Sequence, residues 1–88
     1  MITKNVEVKG TSGLHARPAS MLASLAQKFS SDILIEFNEK KIDAKSIIGI
    51  LSLGASNGSE ISLIINGNDE IEAMEAICEL INVKLVHA

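Results

Sequence analysis

Three side chains in this sequence could handle a phosphoryl group: His15, Arg17 and Ser46. His15 stands in TSGLHARPAS, residues 11–20, between a glycine-containing turn and a proline. A phosphoryl acceptor must be a neutral imidazole, because the protonated ring has no free lone pair for attack on phosphorus. The incoming group is anionic, so donors and positive charge must surround the place where it lands. A helix start supplies both, as unpaired backbone N–H groups and a partial positive charge. The pattern puts His15 at the N-cap or next to it, with the backbone N–H groups of Ala16 and Arg17 as donors. The same partial charge, together with Arg17, disfavours the imidazolium and keeps the ring available. Arg17 adds a planar fork matched to phosphate oxygens, and Gly13 lets the backbone approach closely. On the residues alone a second reading stays open, in which His15 simply opens a helix.

Ser46 follows Lys45 and precedes the apolar stretch IIGILSL. Serine there suits an N-cap. It also suits a phosphorylation site, since a phosphate would meet the helix dipole and nearby lysines. The two readings are compatible. Metal chemistry is a poor fit. The chain has one cysteine and two histidines, His15 and His87, far apart in sequence, and neither a zinc ligand set nor a Cys-x-x-Cys pair is present. No metal and no cofactor are expected. Cys78 falls in the helical pattern MEAICELI and reads as a buried structural thiol.

These residues need a scaffold, and 88 residues allow one small domain spanning 1–88 with a modest core. Hydrophobic residues make up 47% of the chain, with no Trp or Tyr and two Phe, so that core is aliphatic. A net charge of -3 argues against a broad nucleic-acid footprint. The stretch MITKNVEVKG alternates polar and apolar residues and lacks the apolar run of a signal peptide or membrane span. A soluble, cytoplasmic protein without membrane insertion is expected.

Val6 and Val8 alternate with polar residues, which predicts a strand. Leu22, Leu25, Ala26 and Phe29 fall at helical spacing after Ala16, with Pro18 tolerated in the first turn and Ser30-Ser31-Asp32 as the stop. Ile33, Ile35 and Phe37 share one face of a second strand, Asn38-Glu39 is a hairpin turn, and a short strand runs around Lys40 to Ala44. A short helix follows, capped by Ser46 and stopped by Gly54. Ile61, Leu63 and Ile65 mark another strand, with Ile64 on the opposite side. Asp69 and Glu72 resemble a capping pair for a last helix whose apolar face is Ile71, Met74, Ile77, Cys78 and Ile81. The order β-α-β-β-α-β-α predicts an α+β open-faced sandwich: a four-stranded antiparallel sheet covered on one face by three helices. Glu7, Glu36 and Ser62 at outward positions fit an open sheet face.

At SGLHARPAS around His15 and KSIIGILSLG around Ser46 the chain resembles the HPr family, the histidine-containing phosphocarriers of the phosphoenolpyruvate:sugar phosphotransferase system. The likeness covers nearly the whole chain, and the second motif resembles members from low-GC Gram-positive bacteria. It implies phosphorylation of His15 on Nδ1 by phosphorylated enzyme I, transfer onward to sugar-specific enzyme IIA, and steadying of the group by Arg17. It further implies that Ser46 is the regulatory site of an HPr kinase/phosphorylase, and that the Ser46-phosphorylated form is a corepressor for a catabolite-control transcription regulator. Such a chain is a carrier and a substrate of these proteins rather than an enzyme. Ile48 and Leu51 stand where such Gram-positive members commonly carry methionine, a more adaptable side chain. A regulatory paralogue in the family has glutamine in place of the active histidine, whereas His15 is present here. An alternative function stays open: a purely regulatory HPr-like protein acting through Ser46 phosphorylation and binding to a transcription regulator.

A carrier presents one histidine to several unrelated partners, which calls for a shared apolar surface beside it. Ala16, Ser20, Ile47, Ile48 and Leu51 are the candidates. The short helix has more apolar positions than one buried stripe needs, although at least one of Ile47, Ile48 and Leu51 is expected in the core. A monomer is expected, forming small transient complexes.

Overall fold

The computed structural model describes residues 1–8, 14 and 16–84, without the side chain of Lys84. Its elements are β1 (Ile2–Glu7), α1 (Ala16–Ala26), β2 (Asp32–Phe37), β3 (Lys40–Asp43), α2 (Ile47–Leu53), β4 (Glu60–Asn66) and α3 (Glu70–Glu79), which runs on as a π-helical turn, Leu80–Lys84. The four strands form one antiparallel sheet in the order β1-β4-β2-β3. The architecture is the open-faced sandwich expected from the sequence.

Register explains the two faces. Val6 pairs with Ile61, Ile33 with Ile65, and Ile35 with Leu63. All six are buried beneath the helices, each contributing about 1.5–3 kcal/mol of transfer free energy. On the other face Ser62 lies between Asn5 and Glu36, and its hydroxyl donates to Asn5 Oδ1 at 2.7 Å. Ile64 pairs with Leu34 on this same open face, where both are half-buried.

Local signals account for most boundaries. Asn38 and Glu39 both have positive φ, 52° and 65°, between the paired Phe37 and Lys40. That is the twist a two-residue hairpin loop requires. The Ser46 hydroxyl accepts from the Gly49 N–H at 3.0 Å, and Gly54 closes α2 with φ 66°. Pro18, Ala19, Leu22, Ala23 and Ala26 form the buried stripe of α1, with Leu25 and Phe29 half-buried beside it. The helix ends at Ala26, earlier than the expected stop at Ser30. Its last turn tightens through Lys28 N–H to Leu25 O (3.0 Å) and Phe29 N–H to Ala26 O (3.2 Å).

Two expectations at α3 need correction. Asp69 does not cap α3 with its side chain and forms no pair with Glu72. Its carboxylate instead accepts from the Ser30 N–H (2.9 Å), the Ser31 N–H (3.0 Å) and the Ser31 hydroxyl. Ser31 is 1% exposed, so its polar groups need protein partners, whereas first-turn helix N–H groups can turn to water. Glu70 serves the start of α3, accepting from the Gly67 N–H at 3.1 Å. The acidic first turn itself is present, as Glu70 and Glu72. Ile71 is 66% exposed rather than part of the buried face. At about 100° per residue it lies on the margin of the stripe made by Ala73, Met74, Ile77 and Cys78.

The Ser31 hydroxyl, followed by the Ser30 N–H, holds the Asp69 carboxyl down at about 2. A carboxyl whose folded value lies below its unfolded value of about 4 stabilises the fold above that unfolded value. The stabilisation is lost as pH falls toward about 2. Asp69→Asn should therefore melt at lower temperature than the parent at neutral pH and lose part of the parent's acid sensitivity between about 4 and 2. Superimposable melting curves across that range would contradict the role of this carboxylate.

Candidate functional site

α1 packs beside α2, and hydrogen bonds at both ends fix how they lie. At one end, Gln27 Nε2 donates to Lys45 O (2.9 Å) and Lys45 Nζ donates to Phe29 O (2.8 Å). This ties the exit of α1 to the approach to α2. At the other end, the N–H of buried Leu14 donates to Ala55 O at 3.0 Å, tying the approach to α1 to the exit of α2. The helices therefore run antiparallel. Ser46 stands beside the end of α1, and Leu14, just before α1, stands beside the end of α2. The intervening helix of seven residues is about 10 Å long.

Ala16, Arg17 and Ser20 are exposed on α1. Ala16 and Arg17 occupy its first two positions, and buried Pro18, without an N–H, occupies the third. No acidic side chain lies in that first turn. His15 and Gly13 lie outside the described residues. An exposed helix start with an arginine and no carboxylate suits an anion.

Ser46 is exposed at the N-cap of α2, where its hydroxyl accepts from the Gly49 N–H. Lys45, the lysine next to it in sequence, is engaged elsewhere. Lys45 Nζ reaches Phe29 O, and Lys40 Nζ donates to Ser52 O at 2.9 Å, near the far end of α2. The extended lysine stem finds unpaired carbonyls at helix and turn ends, leaving the helix dipole to favour an anion at Ser46.

Ile48 is 81% exposed, and Ile47 and Leu51 are 41% exposed each. The expectation that at least one belongs to the core is wrong. Ile50 and Leu53 alone anchor α2, supported by half-buried Gly49, because a helix this short turns one narrow stripe inward. The result is an apolar strip between the two ends of the helix pair. Cys78 is buried in the core as expected, and burial pushes its thiol up against the weaker opposing pull of Lys4.

The segment ASNGSE, residues 55–60, has turn-forming composition, and it braces the approach to α1. Besides Ala55 O on Leu14, the Val8 N–H donates to Ser59 O (2.7 Å) and the Gly58 N–H donates to Val8 O (2.8 Å). The turn-forming residues were legible, but their distant backbone partners leave no mark in the sequence. Among the described residues, no helix is long and apolar enough to cross a membrane.

The sequence pattern of the family described as "PTS HPr component phosphorylation site" matches residues 2–83. The HPr-like protein Crh of Halalkalibacterium halodurans is 52% identical over 81 residues, which cover 92% of this chain and 96% of that relative. The crystal structure of HPr-C-His from Thermoanaerobacter tengcongensis superposes with a TM-score of 0.95 at 45% identity, covering 100% of this chain and 99% of that one. An HPr dimer from the same organism superposes at 0.77 with 47% identity, covering 97% and 98%.

Proposed function

The chain belongs to the HPr family, of the low-GC Gram-positive type, and on that premise we propose that it is a phosphocarrier of the phosphoenolpyruvate:sugar phosphotransferase system with His15 as the acceptor. The neutral ring attacks through the Nδ1 lone pair. The phosphorus–nitrogen bond to His15 forms as the bond from phosphorus to enzyme I breaks. The group then leaves for a sugar-specific enzyme IIA. Donors from the Ala16 and Arg17 backbone and the Arg17 guanidinium bear the charge during both transfers. The observation that carries this reading is the family match over residues 2–83, which takes in His15, Arg17 and Ser46 together. The chain acts as one domain over residues 1–88, as a cytoplasmic monomer that is substrate rather than enzyme. Sedimentation in the micromolar range should give one chain per particle, and a stable dimer would overturn that part.

Arg17→Ala should keep the fold, since the side chain is exposed. Losing one charge-assisted contact to phosphate, worth about 1.5–3 kcal/mol, should slow transfer roughly 10- to 100-fold. Unchanged transfer kinetics would remove Arg17 from the mechanism.

Ser46 is the regulatory site for an HPr kinase/phosphorylase, and its phosphorylated form is the corepressor of a catabolite-control transcription regulator. The apolar strip of Ile47, Ile48 and Leu51, with Ala16 and Ser20, is the surface that partners share. Ser46 stands at the opposite end of α2 from the approach to α1, so its phosphate acts through the partner's surface: it repels acidic groups on enzyme I and resists desolvation. Ser46→Asp should slow acceptance from enzyme I about tenfold or more, equivalent to ~1.4 kcal/mol, with the melting temperature unchanged. Parental rates in that variant would refute the electrostatic explanation.

A second reading is favoured by the similarity to the HPr-like protein Crh: a regulatory protein that works through Ser46 and leaves His15 silent. Incubation with enzyme I and phosphoenolpyruvate, and separately with an ATP-dependent HPr kinase, separates the two. Acid-labile phosphate from the first reaction supports the carrier. Acid-stable phosphate from the second, with none from the first, supports the regulator.

A further inference from the structure

We propose that Ser59 is a positioning residue for phosphoryl acceptance, holding in place the turn that grips both flanks of the segment leading into His15. This rests on the carrier reading and concerns how the acceptor is kept in register. The turn over residues 56–59 is closed by the Ser59 N–H donating to Ser56 O at 3.0 Å. The Ser59 hydroxyl closes it a second time, accepting from the Ser56 N–H at 3.1 Å and lying 3.4 Å from the Ser56 hydroxyl. Gly58 sits in this turn with φ 92°.

From the turn and the residue just before it, three backbone bonds reach the flanks. The Val8 N–H donates to Ser59 O (2.7 Å), the Gly58 N–H donates to Val8 O (2.8 Å), and the Leu14 N–H donates to Ala55 O (3.0 Å). Val8 is the residue after β1, and Leu14 immediately precedes His15. Val8, Leu14 and Ala55 are all buried, so each end of the grip is anchored in the core. Ser59 itself is half-buried and takes no place in that core. Its hydroxyl therefore contributes to the shape of the turn rather than to packing. Removing it takes away the second closure and leaves the Ser59 N–H bond to Ser56 O to hold the turn by itself, which loosens it. Loosening shifts Ala55 O and so the backbone immediately before the acceptor. Misplacement of a reacting group by about 1 Å costs on the order of 100-fold in rate.

The test compares the parent, Ser59→Ala and Ser59→Thr in three measurements: phosphoryl transfer from enzyme I with phosphoenolpyruvate, melting temperature, and amide exchange at Leu14 and Gly58. Ser59→Ala should lower the maximal transfer rate roughly 10- to 100-fold with the KM for this chain little changed. The Leu14 and Gly58 amides should exchange faster while the fold persists. Ser59→Thr, which keeps the hydroxyl, should restore both rate and protection. Loss of protection with a parental transfer rate would overturn the positioning role. Undiminished protection in Ser59→Ala would overturn the claim that the hydroxyl holds the turn. If the parent itself accepts no phosphoryl group, the carrier reading fails and the role of Ser59 in transfer fails with it, while the exchange comparison still decides whether the grip exists.

Discussion

His15→Ala is expected to abolish acid-labile phosphorylation by enzyme I while leaving the kinase reaction at Ser46 intact. Transfer needs a nucleophilic lone pair at a place already supplied with donors, and alanine has none to offer. The sequence contains one other histidine, His87, which has no arginine two places on and no helix-start pattern around it. It should not take over. The expected loss is complete within detection. Acid-labile phosphate persisting in this variant at the parental level would remove His15 from the mechanism. Ser46 stands near the exit of α1, away from the approach to α1 where Leu14 is bound, so its phosphorylation should be insensitive to the substitution.

Gly67→Ala should be the most damaging single-methyl change on the described surface. A Cβ on Gly67 would lie 2.6 Å from Ser31 Cα, a backbone atom with no flexible tip to swing away. Relief requires the turn before α3 to separate from the start of β2. That same junction carries the Asp69 contacts to Ser30 and Ser31 and the Gly67 N–H bond to Glu70. Overpacking of this kind costs about 1–3 kcal/mol, and a domain of this size loses roughly 4–8 °C of melting temperature per kcal/mol. Differential scanning calorimetry reads it directly. A parental melting temperature would mean that the junction yields without cost. Combining Gly67→Ala with Asp69→Asn should cost less than the sum of the single changes, because both disturb one contact set.

Much of this molecule is legible in its sequence because the governing signals are local. The alternation of Val6 and Val8 marks the first strand, which the structure places at Ile2–Glu7 with Val8 just beyond it, Ile61–Ile65 marks another, Ser46 and Gly54 bracket α2, and Asn38-Glu39 gives the hairpin. What escapes is decided across the chain. Asp69 has the composition of a cap, but buried Ser31 competes for its carboxylate from 38 positions away. Ile71 has the right residue type and a marginal angle on the helix. Lys45 stands next to Ser46 in sequence, yet its ammonium reaches a carbonyl 16 positions back. Ile47, Ile48 and Leu51 have core composition and surface positions, a combination visible only once Ile50 and Leu53 are known to fill the inward stripe. Around the candidate site the sequence suggested Arg17, Ser46 and the apolar residues Ile47, Ile48 and Leu51, and the structure places all of them at the surface. It missed the brace from residues 55–59, which is made of backbone groups common to every residue type.

The central claim is that His15 is where the phosphoryl group rests. The most direct measurement is phosphorus NMR of the chain after incubation with enzyme I and phosphoenolpyruvate, with the modified residue located by fragmentation mass spectrometry at neutral pH. A phosphoramidate signal assigned to Nδ1 of His15, disappearing on addition of enzyme IIA and absent in His15→Ala, is the expected result. A phosphate found on Ser46 alone, or no phosphate at all, would contradict the account.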